Sequence, residues 1–151
     1  MSLHKLSGKD FDTHIGDSLI HVISASLSID DQRKVRMTNG VPDGYLDGPC
    51  TASGEIVVNH ENFLLIAEEA KKAGSWKGIE PIDLSFMGKV ISGEKNVEAF
   101  GALLMLSDLL NIDPEGAKAD ETKIKFDITS PDFVKINGVP YLTAKEVENI
   151  I

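Results

Sequence analysis

Alternation of apolar and polar side chains recurs along most of this chain, and it restricts the fold to strands that bury one face. Ile124, Phe126 and Ile128 alternate with Lys123, Lys125 and Asp127. From Leu19 to Ile29 the odd positions read Leu, His, Ile, Ala, Leu and Ile while the even ones drift to serine, which predicts a strand with its odd face inward. Upstream, Phe11, Thr13 and Ile15 alternate with Asp12 and His14, and Gly16-Asp17 supplies a turn, so the first two strands form a hairpin. Cys50 to Val58 reads as a strand, as does the run through Ile82, Leu84 and Phe86. After a turn over Ser92 to Asn96, the apolar segment from Val97 fits both a helix and a strand. The turn before it favours a long strand in which Val97, Ala99, Gly101, Leu103 and Met105 share a face. Phe133 to Leu142 closes the series as a small hairpin around Asn137-Gly138, a pair that tolerates positive φ at both turn positions.

Helical period stands out in one internal segment. Phe63, Ile66, Ala67 and Ala70 form a stripe, Asn59 can cap its start, and Glu61 suits the positive end of the helix dipole. Lys71 and Lys72 suit the negative end, and Gly74 can terminate it. Trp76 follows and is expected to dock the helix end on the sheet, while Glu68 and Glu69 stay in solvent. Thr143 and Glu146 make a capping box for a short C-terminal helix. The segment Asp113 to Glu121 is polar and holds Pro and Gly, so it reads as a loop. The predicted fold is α+β: about seven strands in an antiparallel sandwich or barrel, one packed helix and a short C-terminal helix, in one domain over residues 1–151.

Charge narrows the function classes. The chain carries a formal net charge of −9, with 24 acidic against 15 basic residues. A surface of that sign does not grip phosphate backbones, which need clustered Lys and Arg. Cys50 is the single cysteine, so one chain can form neither an internal disulfide nor a cysteine-rich zinc site, and a buried thiol is expected. The start MSLHKLSGKDFD lacks the apolar run of a signal peptide, and no apolar stretch reaches spanning length, so synthesis as a soluble cytoplasmic protein is expected.

Catalytic or metal chemistry finds little support. Asp43 and Asp47 in DGYLDG suggest a calcium loop, but Leu46 stands where a spacer belongs and no glutamate closes the site at the right distance. Solvated turn aspartates are the plainer reading. His4, His14, His21 and His60 include no pair at helical ligand spacing, although His14 and His21 could meet across the first hairpin. No nucleophile elbow, phosphate loop or H-E-x-x-H is present. The expectation is no enzyme, no cofactor and no metal, with a ligand site around Asp43, Asp47 and His21 as the competing reading.

The run from Asp30 to Pro49 is too long for an ordinary connection in a compact domain. It holds Val35, Met37, Val41, Tyr45 and Leu46 among glycines that include Gly40. With no chemistry to cover, such a segment is expected to cover a neighbouring subunit, with a loop packed on its own domain as the alternative.

Along most of its length the chain resembles tail tube proteins of contractile-tailed bacteriophages, through a small family of temperate phages and prophages. The segments that carry the resemblance are GDSLIHVISASLSI, NGVPDGYLDG, SGEI, NFLLIAEEAKKAGSWKGIEP, VEAF and SPDFVKINGVPYL. The resemblance implies a sandwich or barrel flanked by a helix, six copies closing into rings that stack inside a contractile sheath. It also implies sheath and baseplate partners, DNA passing through the lumen without specific binding, and a place in the virion tail after assembly in the host cytoplasm. Residues 30–49 then become an inter-subunit arm: Gly40, Gly44 and Gly48 let it bend, and Val35, Met37, Val41, Tyr45 and Leu46 touch a neighbour. Another tail component, or the tube of a contractile injection system, is the alternative within this class.

Overall fold

The computed structural model of the chain describes residues 11–16, 18–90, 93–110, 114–116 and 120–147. Eleven strands and two helices are described. They run β1 (Phe11–Ile15), β2 (Ser18–Ile20), β3 (Val22–Asp31), β4 (Lys34–Thr38), β5 (Val41–Leu46), β6 (Cys50–Asn59), α1 (His60–Ala73), β7 (Ile82–Val90), β8 (Gly93–Asp108), β9 (Glu121–Ile128), β10 (Val134–Ile136), β11 (Val139–Pro140) and α2 (Ala144–Val147). The sequence reading of about seven strands grows because three of its segments divide. The second strand breaks at His21, the 30–49 segment contains two strands, and the terminal hairpin counts as two.

Nine strands make one antiparallel sheet in the order β2-β1-β7-β8-β9-β6-β3, with β10 on β8 and β11 on β10. Its two ends, β2 and β3, are joined through the single residue His21, so the sheet has to curl round until its edges meet. The result is barrel-like. Ile56, Leu84, Ile124, Phe126, Val58 and Val134 are almost completely buried at its centre. In β9 the alternation is as clean as the sequence suggests: Thr122, Ile124 and Phe126 point in, and the residues between them point out.

Two strands change phase part-way, which corrects the predicted faces. In β3 the pairing with β6 slips between Val22 and Ser24, so Ile23 is an extra residue opposite a single partner. A one-residue bulge exchanges the two faces of everything beyond it. Ile20 and Val22 therefore turn inward before the bulge, and Leu27 and Ile29 after it, whereas one odd-numbered inner face was expected throughout. In β8 the same happens at Gly101, whose φ of 67° suits a residue without Cβ. Ala99 and Ala102 both reach the core, and Met105 does not share their face.

Helix α1 forms where its stripe and caps predict. The Asn59 side chain accepts from the Asn62 amide, and Gly74 closes the end in the left-handed region with its N–H on the Lys71 carbonyl. Ile66 and Ala70 face the sheet, and Glu68 and Glu69 lie in solvent beside Lys71 and Lys72. Trp76 stacks on Phe63, with 5.3 Å between ring centroids, and pins the segment after the helix. Among the described residues no helix is long and apolar enough to cross a membrane. The Gly16-Asp17 turn, the start of the Ser92–Asn96 turn, most of the Asp113–Glu121 loop, His4 and the Glu146 side chain lie outside the described residues. Within the Ser92–Asn96 segment, residues from Gly93 onward already belong to β8.

Candidate assembly surface

The 30–49 segment is a hairpin of its own. β3 runs on to Asp31 and β6 begins at Cys50, and between them β4 and β5 pair only with each other. Asn39 and Gly40 turn the chain with φ of 52° and 78°, the double positive φ of a tight hairpin turn. Every residue from 32 to 47 is exposed. An isolated two-stranded hairpin is at best marginally stable in water, so an exposed one gains from a partner.

Its register sorts the side chains. Val35 lies opposite Tyr45 and Met37 opposite Pro42, and residues directly opposed share a face. One face is therefore wholly apolar: Val35, Met37, Pro42 and Tyr45. The other mixes Lys34, Arg36 and Thr38 with Leu46 and Val41. An irregularity between these pairs gives β5 one extra residue, and Gly44 at φ 83° lies within it. Val35, Met37, Val41, Tyr45 and Leu46 all stay more than half exposed, Tyr45 at 67%. Unlike Gly40 and Gly44, Gly48 has no positive φ. A Cβ there would collide with the Gln32 carbonyl, so glycine is needed for the two chains to approach at the hairpin's base.

That base is held by a polar clamp. The Tyr141 hydroxyl donates to Asp31 Oδ2 at 2.6 Å, and Arg33 Nε donates to both Asp31 oxygens at 3.1 and 2.9 Å. The Tyr141 bond first, and Arg33 second, hold the Asp31 carboxyl down at about 2, below its ordinary 3.8. Tyr141 is in turn pushed up by the carboxylate it donates to. The Gln32 amide donates to the Pro49 carbonyl across the same junction. Cys50 beside it is half-buried, less enclosed than the buried thiol expected.

A second feature is an open apolar cavity of about 1020 Å³ where the curled sheet does not zip shut, lined by Phe11, Ile20, Leu27, Phe86, Val97 and Val134 among others. His21 sits at its side, but Asp43 and Asp47 are on the exposed hairpin, where Asp43 accepts from the Thr38 hydroxyl at 3.1 Å. The structure does not bring the three together as a ligand site. His14 pairs across the strands with Leu19 and Ser85, not with His21. Among the described residues no group of three or more His, Cys, Asp or Glu is placed to hold a metal.

Residues 9–142 match the model of the family described as "Bacteriophage HP1, Orf24". The chain belongs to this family. A relative from Haemophilus phage HP1 (strain HP1c1), described as "Putative tail tube protein", is 38% identical over 149 residues, 99% of each chain. Two solved structures share the fold of this Orf24-family chain. The anti-feeding prophage tube-terminating cap superposes with a TM-score of 0.64 at 15% identity, over 91% of this chain and 93% of the cap. The sheath-tube complex of the PVC extracellular contractile injection system gives 0.62 at 13% identity, over 91% and 94%. The fold is thus that of contractile-tail tube components, mainly antiparallel β with one packed helix.

Sequence reasoning on this Orf24-family chain missed the clamp at the hairpin base. Asp31 and Tyr141 are 110 residues apart, and neither sits in a motif. The one available signal was Arg33 two residues from Asp31, a spacing at which a turn lets the guanidinium fold back on the carboxylate.

Proposed function

We propose that this chain is the structural subunit of a bacteriophage or prophage tail tube, stacking as rings of six inside a contractile sheath to form the conduit for DNA. It performs no catalysis in this role, needs no cofactor, and resides in the virion tail after assembly in the host cytoplasm. The observation that carries the reading is the β4–β5 hairpin: five large apolar side chains held in water on an unpartnered two-stranded sheet, attached to a barrel of the tube fold. A head-to-tail contact made by such an arm generates rings when rotation closes and stacks when it does not. The acidic balance suits a lumen through which DNA slides, because a basic wall would retain it. Sheath and baseplate proteins are the further partners.

A second reading, a cap that terminates the tube, is favoured by the superposition on the anti-feeding prophage cap, which is as good as that on the sheath-tube complex. Negative-stain microscopy of the concentrated protein, with light scattering on the same sample, separates the two. A tube subunit gives stacked rings or tubes, and a cap gives single rings. Replacing Lys34–Asp47 by a short Gly-Ser turn leaves the fold and its melting temperature in place and abolishes polymerisation. A melted barrel after the deletion would place the hairpin in the folding core and end the arm reading.

A further inference from the structure

We infer that in the assembled tube the cationic face of the β4–β5 hairpin docks on the far end of a second copy, at the leucine-rich, acidic end of the β8–β9 pair. This rests on the tube reading above and names the partner surface of its arm.

Charge points to the donor face. Both arginines of the chain, Arg33 and Arg36, lie in the hairpin segment. Residues 30–49 hold Arg33, Lys34 and Arg36 against Asp30, Asp31, Asp43 and Asp47, a net −1, so the positive charge of the segment is local to Lys34 and Arg36. Arg33 is committed to Asp31 at 2.7 Å. Lys34 and Arg36 share one face with Leu46 and Val41 and with Asp43, which accepts from the Thr38 hydroxyl; the two cations outnumber this carboxylate and make no ion pair among the described residues.

The receiving end has the opposite character. Leu106, Leu109 and Leu110 are exposed where β8 ends, Leu110 at 66%. Asp120 and Glu121 are exposed at the start of β9 and make no ion pair among the described residues, while Asp108 is already turned to Lys123 at 3.6 Å. The register Asp108↔Lys123 puts the leucines and these two carboxylates at the same end of the pair. Beside them a mostly apolar crease of about 300 Å³, lined by Trp76, Ile79, Leu104, Met105 and Leu106, has room for an inserted side chain.

Topology sets the two surfaces at opposite ends of the barrel. β6 starts at the hairpin base with Cys50 and ends at Asn59 opposite Glu121, so its ten residues separate the surfaces by about 30 Å. A surface at one end that complements a surface at the other cannot be satisfied within one copy. It is satisfied by a copy placed head-to-tail, and again by the next, which is the geometry of a stack.

The test mixes two assembling variants, each in a Cys50→Ser background: one with Leu46→Cys on the hairpin, the other with Leu110→Cys at the receiving end. Oxidation after assembly should give the mixed disulfide between copies. In parallel, Arg36→Glu should raise the concentration needed for tube formation by about tenfold, and adding Glu121→Arg should recover most of it. Three results overturn the inference while leaving the tube reading intact, provided the wild type forms tubes. These are absence of the mixed disulfide, preferential coupling of Leu46→Cys to Leu27→Cys in the large cavity, or failure of the charge swap to rescue. A wild type that forms neither rings nor tubes at any concentration overturns both.

Discussion

The tetrapeptide NGVP occurs twice, at Asn39–Pro42 and Asn137–Pro140, and the two copies meet opposite fates. Both turn the chain with nearly the same geometry: φ is 52° and 78° at Asn39 and Gly40, 52° and 81° at Asn137 and Gly138. The second hairpin is welded to the sheet. β10 pairs with β8, Val134 is fully buried, and the Asn137 side chain accepts from the Asn96 amide at 2.7 Å while its own amide donates to the Asn96 carbonyl. The first hairpin pairs only with itself and exposes every residue from 32 to 47. The same local code therefore specifies a turn and nothing more. Both turns lie in solvent, and whether the hairpin joins the main sheet depends on which strand lies within reach.

The comparison breaks most visibly in the core. Phe126→Ala should cost about 3–5 kcal/mol in urea unfolding, because a fully buried aromatic ring leaves a cavity that the barrel cannot fill. Tyr45→Ala should change the same measurement by less than about 0.5 kcal/mol while weakening assembly. Equal losses from the two would mean that the exposed hairpin folds as part of the barrel.

A sharper contrast comes from the matched asparagines. Asn137→Ala forces a positive φ on alanine and removes an exposed hydrogen bond from the Asn96 amide, for about 1–2 kcal/mol of global stability. Asn39→Ala carries the same backbone strain, but the strain falls on a hairpin that opens independently, so global unfolding should shift by less than about 0.5 kcal/mol. Faster hydrogen exchange confined to residues 34–46 would be its signature.

The smallest effect is at the junction of the two regions. Asp31 is held at about 2 against an ordinary 3.8, so its contribution is fully present above the ordinary value and fades as pH falls from about 4 towards 2. Tyr141→Phe removes the largest cause of that shift. Melting temperatures between pH 2 and 7 should then show a shallower acid dependence in this window than in the wild type. Identical slopes would show that the clamp does not couple to folding.

Much of this fold was legible in single residues. Asn59 and Gly74 bound the helix, and the alternation at 122–128 named its buried side correctly. The apolar residues of 35–46 were expected outside the core, and the structure leaves them exposed. The phase changes at Ile23 and Gly101 were not legible, because a bulge is defined by the partner strand, and across β2 and β3 the exposed apolar Leu19 and Ile23 keep an odd-numbered pattern running through it. The Asp31–Tyr141 clamp was hidden for a related reason: the two residues are brought together by strand order, not by spacing.

Period, caps and turn residues act within a few residues, and so by themselves they determined the main-sheet strands, helix α1 and the Asn137-Gly138 turn, while composition alone fixed the acidic character. Strand order, bulges and the curl that joins β2 to β3 through His21 depend on pairings between distant segments. Only the tertiary structure decided which hairpin pairs with the main sheet and which stands free, and that the Lys34 and Arg36 face and the acidic leucine end lie at opposite ends of the barrel.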